Sequence, residues 1–189
     1  MTALEIYNNN KDKFEALIVA FQIENDKINL SSFNDHENIL QKHILDSLKI
    51  FEMHSFSENV IAKKTIADIG TGGGFPGLAL AVAAPEIDFV LLDSVRKKTE
   101  AVQSIIEKLQ LTNVTIINDR AENITQEFDA SVSRAVASFE QIMTWSKHIT
   151  KKNGDIFLYK STKEEISGFI DKLDYKMGND KRTIYHFSA

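Results

Sequence analysis

Gly70, Gly72, Gly73, Gly74 and Gly77 crowd one short window of a chain that holds only eight glycines. Glycine adopts positive φ and lets the backbone approach a ligand with no Cβ in between. The window directly follows the apolar stretch Thr65-Ile66-Ala67-Asp68-Ile69, and Asp93 closes the next apolar run. A strand entering a glycine turn and then a helix is how open α/β sheets build nucleotide pockets. In such pockets loop amides meet an anionic group, and an acid at the place of Asp93 accepts hydrogen bonds from ribose hydroxyls. The spacing therefore points to a ligand with a ribose and an anionic or zwitterionic part.

Three ligands compete for the loop. Gly72-x-Gly74-x-x-Gly77 matches the nicotinamide fingerprint, but its first glycine lies beyond the place where the tight turn belongs. Read from Gly70, the pattern becomes G-x-G-x-G, typical of S-adenosyl-L-methionine binding. A phosphate-gripping loop needs Gly-Lys-Ser/Thr, which is absent. A turn that merely packs is the structural alternative.

If the ligand is a methyl donor, the acceptor is narrowed by what the chain lacks. Methylating C5 of a pyrimidine needs a cysteine nucleophile, and there is no cysteine. Methylating an exocyclic amine commonly uses an Asn/Asp-Pro-Pro-aromatic loop after the fourth strand. Here Phe128-Asp129-Ala130-Ser131-Val132-Ser133 leads into Arg134-Ala135, and the only prolines are Pro76 and Pro85. An acceptor with a free lone pair, such as guanine N7, needs only positioning and exclusion of water. No acid–base residue is therefore assigned. Arg134 is the candidate catalytic group, placed to hold an anionic group, a base edge or the methionine carboxylate. Its alternative role is a structural salt bridge.

The elements that must position these residues follow from periodicity. Strands are predicted at 65–69, 88–93, 114–118, 128–133 and 154–160, with helices at 77–84, 95–110, 138–148 and 163–172. A weaker pair, 173–177 and 182–187, could close the sheet as an antiparallel hairpin. Near-continuous apolar strands such as Phe89-Val90-Leu91-Leu92 belong in a parallel sheet covered on both faces. Alternating strand and helix units imply a doubly wound α/β fold. Before residue 60 the chain reads as helical. Phe14, Leu17, Ile18 and Phe21 share one helix face, as do Leu40, Ile44, Leu48 and Phe51, with a polar connection at 29–35. The expectation is one domain, with 1–60 a helical cap near the strand C-terminal edge and 61–189 the ligand-binding core.

Composition bounds the setting. The 43% hydrophobic content of 189 residues supplies a core. No apolar run approaches a membrane span, and the N-terminus lacks the order of a secretory signal, so a cytoplasmic location is expected. The histidines show no ligand spacing, so no metal is expected. A net charge of −5 argues against a general nucleic-acid coat but leaves local patches at Lys63-Lys64, Arg96-Lys97-Lys98 and Lys147 with Lys151-Lys152. Trp145, among Phe139, Ile142 and Met143, reads as core.

The segment Asp68-Ile69-Gly70-Thr71-Gly72-Gly73-Gly74-Phe75-Pro76-Gly77-Leu78 resembles the signature of the glucose-inhibited division B family, bacterial small-subunit rRNA guanine-N7 methyltransferases. Asn29-Leu30-Ser31, Lys42-His43-Ile44-Leu45-Asp46-Ser47, Leu91-Leu92-Asp93-Ser94 with Arg96-Lys97, and Ser133-Arg134-Ala135 are similar in the same order. The similarity runs from about residue 25 to 160. Gly73 and Lys160-Ser161 depart from the family pattern, and the C-terminal strand is short and lacks a basic ending.

The resemblance implies a Rossmann-like class I methyltransferase, a mostly parallel sheet with helices on both faces. It would transfer methyl from S-adenosyl-L-methionine to one guanine N7 in 16S rRNA. By position it implies cofactor contacts from Gly70 and Phe75, with Asp93 at the ribose. Ala121 and Glu122 would flank the adenine and Arg134 would close the site, with Asp68, Gly72, Gly74 and Ser94 completing the set. The implied partner is 16S rRNA or the small ribosomal subunit; from the sequence itself a monomer is expected, with no membrane partner.

His43, Asp46 and Ser47 share a helix face and either touch RNA or brace the cap against the loop. Arg96, Lys97 and Lys98 oppose the dipole of their helix at a cost of about 0.3–1 kcal/mol each. They meet RNA phosphate, or Glu100 partly neutralises them. A small-molecule methyltransferase, a nicotinamide-dependent oxidoreductase and a non-catalytic RNA-binding module are the rival readings.

Overall fold

The computed structural model describes residues 1–59, 65–161 and 166–189. Among them are seven strands: β1 (Thr65–Ile69), β2 (Asp88–Leu92), β3 (Val114–Ile117), β4 (Phe128–Arg134), β5 (Thr150–Ser161), β6 (Asp171–Met177) and β7 (Asp180–Ser188). They form one sheet in the order β3-β2-β1-β4-β5-β7-β6. The first five are mutually parallel, and β7 runs antiparallel to both β5 and β6.

Helices α6 (Gly77–Ala83), α7 (Arg96–Leu109) and α8 (Phe139–Ile149) connect the strands. Before β1 lie α1 (Ala3–Asn9), α2 (Lys11–Ile28), α3 (His36–Ile39), α4 (Asp46–Leu48) and α5 (His54–Asn59). A π-helical stretch, Leu40–Leu45, joins α3 to α4, an irregularity that recurs beside functional sites.

Successive strand residues alternate between two cores, as pleating requires. Ile66, Phe89, Leu91, Phe157 and Tyr159 face the N-terminal helices, α6 and α7. Ala67, Ile69, Val90, Leu92, Ile156 and Leu158 face α8. In β4 the parity changes: Phe128 belongs to the second core, whereas Ala130 and Val132 belong to the first. A register shift against β5 between Phe128 and Ala130 accounts for that switch.

The helical N-terminal segment shares the first core with the sheet. Phe14, Leu17, Ile18 and Phe21, spaced along one face of α2, are all fully buried there. Glu24 ties α2 to α7, accepting from Ser104 Oγ at 2.7 Å and Lys108 Nζ at 2.6 Å. Asn25 organises the connection after α2, where its Oδ1 accepts the Ser31 N–H at 2.7 Å.

Two expectations need correction. The helix predicted over 163–172 does not form in the described part: 166–170 is irregular and β6 starts at Asp171. Gly168 adopts φ +77, and the Ile170 N–H bonds the His186 carbonyl at 2.7 Å, so the chain is already joining the sheet. Residues 163–165 of that helix, and the patch Lys63-Lys64, lie outside the described residues. The strand predicted at 154–160 begins earlier, at Thr150, immediately after α8. The hairpin predicted at 173–177 and 182–187 is present.

Because α2 and the sheet bury each other, Leu17→Ala should destabilise the whole protein, by about 2–5 kcal/mol. Urea melts followed by Trp145 fluorescence in α8 and by far-UV circular dichroism should shift together. Separate midpoints would show that the N-terminal helices unfold independently.

Candidate functional site

The chain runs outward from β1 through β2 to β3, then crosses back to place β4 on the other side of β1. Open α/β sheets bind ligands outside the carboxyl ends of their strands at such a reversal. A cavity of about 450 Å³ opens there, within the roughly 300–1,000 Å³ usual for small-molecule sites.

Its floor is the glycine loop between β1 and α6. The Thr71 N–H continues the ladder onto the Leu92 carbonyl at 2.9 Å, and the Gly74 N–H turns back onto the Thr71 carbonyl at 2.9 Å. Two acids hold the loop. Asp68 Oδ2 accepts from Thr71 Oγ1 at 2.7 Å and from the Gly77 N–H at 2.8 Å. Asp93, at the end of β2, accepts the Gly72 N–H at 2.9 Å and the Val95 N–H at 2.8 Å.

Gly70, Gly72 and Gly74 have φ of +67, +58 and +97, but what surrounds them differs. A Cβ at Gly70 would lie 2.6 Å from Val136, and one at Gly74 would lie 2.3 Å from Leu78. At Gly72 the nearest atom would be the Gly70 carbonyl oxygen at 4.0 Å. Gly70 and Gly74 are therefore also required by packing, whereas Gly72 opens onto space a ligand can use.

Asp68 is fully buried, and its Oδ1 has no hydrogen-bond partner among the described residues. Burial pushes its carboxyl up to about 6, with the bonds from Thr71 and Gly77 and the charge of Arg134 pulling it back.

The opposite wall combines the N-terminal helices with β4. Arg134 NH1 reaches Asp46 Oδ2 at 2.8 Å, Ser47 Oγ at 3.3 Å and the Lys42 carbonyl at 3.3 Å. The His43 ring stacks on Phe75 at 4.9 Å between centroids, nearly parallel at 7°. Burial, then Arg134 and Arg182, push its imidazole down to about 3, so it is neutral at physiological pH. A guanidinium only donates, so His43 Nδ1, 3.4 Å from Arg134 NH2, is the acceptor. Its Nε2 then carries the proton and donates to Ser31 Oγ at 2.9 Å.

The cavity is lined by Gly70, Gly72, Phe75, Asp93, Ser94, Ala121, Glu122 and Arg134, all singled out from the sequence. Asp68 and Gly74 stand behind its wall, one beneath the loop and one against Leu78. Of the residues considered for RNA, His43 and Lys98 line the cavity. Asp46 and Ser47 are fully buried and brace Arg134. Arg96 and Lys97 are exposed on the first turn of α7, where Arg96 pairs with Glu100 at 2.7 Å. Lys151 and Lys152 sit at the start of β5, the sheet edge away from the cavity, and Lys151 pairs with Asp129.

Sequence reasoning missed Leu30, Asp119, Arg120 and Val136, which also line the cavity. Asp119-Arg120 follows β3 where the next strand-end loop must fall, and that position was a usable signal. Trp145 packs against the second core and in addition lines the cavity.

A parallel sheet of this order, extended by an antiparallel β7 and carrying its cavity at the reversal, is a Rossmann-like class I methyltransferase fold. Solved structures share it. A SAM-dependent methyltransferase from Aquifex aeolicus aligns with TM-score 0.58 and 15% identity over 80% of this chain and 93% of that one. Precorrin-6y C5,15-methyltransferase from Geobacter metallireducens aligns with TM-score 0.54 and 16% identity over 70% of this chain and 85% of that one.

Sequence comparison is more specific. The chain belongs to the GidB family, rRNA small subunit methyltransferase G, whose family model matches residues 10–186. Ribosomal RNA small subunit methyltransferase G of Flavobacterium psychrophilum is 38% identical over 173 residues, covering 87% of this chain and 81% of that protein. The protein of the same name from Clostridium botulinum (strain Alaska E43) is 36% identical over 168 residues, covering 83% and 69%.

Two outcomes follow from the loop. Gly70→Ala would set a Cβ against Val136 and force alanine to positive φ, so affinity for S-adenosylhomocysteine should fall more than tenfold by calorimetry. Unchanged affinity would mean that the loop relaxes freely.

Asp68 titrates higher folded than unfolded, so its contribution is complete below about pH 4 and is lost as pH rises through about 6. Urea midpoints measured between pH 4 and 7 should therefore decline less in Asp68→Asn than in wild type. Parallel profiles would remove Asp68 as the source.

Proposed function

We propose that this protein transfers the methyl group of S-adenosyl-L-methionine to N7 of a single guanine in the decoding region of 16S rRNA, conventionally position 527. Membership of the rRNA small subunit methyltransferase G family supports the acceptor class. The observation that carries the cofactor assignment is the placement of Asp93 and Arg134 around one glycine-floored cavity.

The residues present fit that cofactor. Gly72 leaves room above the loop, Asp93 offers carboxylate oxygens for a ribose diol, and Ala121 and Glu122 line the part of the cavity assigned to adenine. Arg134 is the group for the methionine carboxylate. Gly70 and Phe75 contact the cofactor from the loop, Ser94 extends the ribose side, and Asp68 and Gly74 act by shaping the loop. When bound, S-adenosyl-L-methionine supplies an electrophilic methyl group on a sulfonium.

Guanine N7 already has an in-plane lone pair, so this chain has no proton to remove. Its contribution is alignment and the exclusion of water. His43 agrees with that role: neutral and packed flat on Phe75, it forms an apolar wall and not a titrating base. Lys98 on the cavity lining, with Arg96 and Lys97 exposed on the same helix turn, are candidates for contacts to flanking RNA phosphates. The whole chain, helical segment included, works as one methyltransferase unit.

Label from tritiated S-adenosyl-L-methionine should enter small-subunit rRNA or particles, and mass mapping should find 7-methylguanine missing from cells without the gene. Arg134→Ala should reduce transfer at least tenfold, the scale of one lost charge-assisted contact. Label confined to small metabolites, or an unchanged 7-methylguanine map, would refute the assignment.

A further inference from the structure

A second cleft, of about 740 Å³, adjoins the first and shares Arg134 and Ala135 with it. It lies between the carboxyl ends of β4 and β5 and the turn joining β6 to β7. Its lining includes four cations, Arg134, Lys160, Lys181 and Arg182, and among the described residues a single carboxylate, Asp180. That carboxylate is committed to Lys42 at 3.1 Å. Arg134 and Arg182 come together on its lining, and a guanidinium with donors to spare favours an anionic ligand.

The cleft is joined to the first cavity through one buried group. Asp46, with no exposed surface, accepts from Arg134 NH1 at 2.8 Å and from Arg182 NH1 at 2.7 Å on the same oxygen. Its other oxygen accepts the Tyr175 hydroxyl at 2.8 Å. One carboxylate from the N-terminal helices thereby sets two guanidiniums, one on β4 and one on β7. The Arg182 side chain keeps 26% exposure, and among the described residues its Nε and NH2 groups make no hydrogen bond. They remain as donors toward the cleft.

We propose that this cleft takes a backbone phosphate of the acceptor RNA, with Arg182 as its contact and Asp46 as the residue that positions Arg182 and Arg134 together. The proposal rests on the rRNA reading above. Guanidinium suits phosphate because its fork donates two parallel hydrogen bonds. Ala135 supports the placement: it adopts φ +56, a conformation strained for alanine, at the point where the two cavities meet. A phosphate here would place the nucleotide against the edge of the methyl-donor cavity. Arg134 then serves both ligands.

The test uses full-length protein and a small-subunit rRNA fragment or particle that the wild type methylates. Arg182→Gln should raise KM for RNA about tenfold and leave the affinity for S-adenosylhomocysteine unchanged. The slope of log affinity for RNA against log salt should fall by about 0.7–0.9, the loss of one phosphate contact. Arg182→Lys should recover most of that slope.

Tyr175→Phe removes only the hydroxyl bond to Asp46 and keeps the fold testable. It should weaken RNA binding through Arg182 and cofactor binding through Arg134 together, as should Asp46→Asn. An unchanged salt slope in Arg182→Gln, or an equal loss of cofactor and RNA affinity in that variant, would overturn the phosphate assignment. If the wild type methylates no rRNA, the functional reading fails and this inference fails with it. If wild type succeeds and Arg182→Gln behaves like it, the inference alone fails.

Discussion

A carboxylate with no solvent contact must be compensated, and Asp46 is compensated by three chain segments at once. Arg134 from β4, Arg182 from β7 and the hydroxyl of Tyr175 from β6 all converge on it. Removing one side of such a buried pair costs roughly 3–5 kcal/mol, because the remaining charge stays buried without its counterpart. The N-terminal helices are thus bound to the strand ends by a polar requirement as well as by apolar burial. Tyr159 adds to the same junction, donating its hydroxyl to the Ser47 carbonyl at 2.6 Å.

The loop beneath the first cavity obeys a related rule. Asp68 and Asp93 are both used as hydrogen-bond acceptors for backbone that no regular structure satisfies. Asp68 does so in full burial, which raises its pKa; Asp93 does so half exposed at the cavity wall, where oxygen lone pairs remain for a ligand. Two carboxylates at the ends of the paired strands β1 and β2 therefore take different jobs because their solvation differs. One shapes the floor and the other faces what binds there.

Much of this was legible because strands in a doubly wound sheet are near-continuous apolar runs and their ends are fixed by punctuation. Thr65–Ile69 precedes the glycine window, and Phe89–Leu92 precedes Asp93, so the chain itself marked where the cavity would open. The misread segment, 163–172, had apolar residues at helical spacing, yet Gly168 interrupts it and Leu173, Tyr175 and Met177 alternate as a strand does. Other features are pairings across long sequence separations. The bond between Asp46 and Arg182 joins residues 136 apart, and no local pattern announces it. The His43-x-x-Asp46-Ser47 spacing pointed to a shared helix face, but whether that face met RNA or protein was decided by β4, β6 and β7.

These two levels explain why the helical segment and the sheet make one site. Arg134 on β4 and Arg182 on β7, two strands held apart by β5, would repel each other unless one group supplied a counterion to both. Asp46 does, from a helix turn following the π-helical stretch that carries His43 against Phe75. The same short segment therefore fixes the apolar wall of one cavity and the charged boundary between both. Without it the two guanidiniums would lose the carboxylate they share. In the proposed transfer to guanine N7, the helical segment holds Arg134 in place for the alignment such a transfer needs.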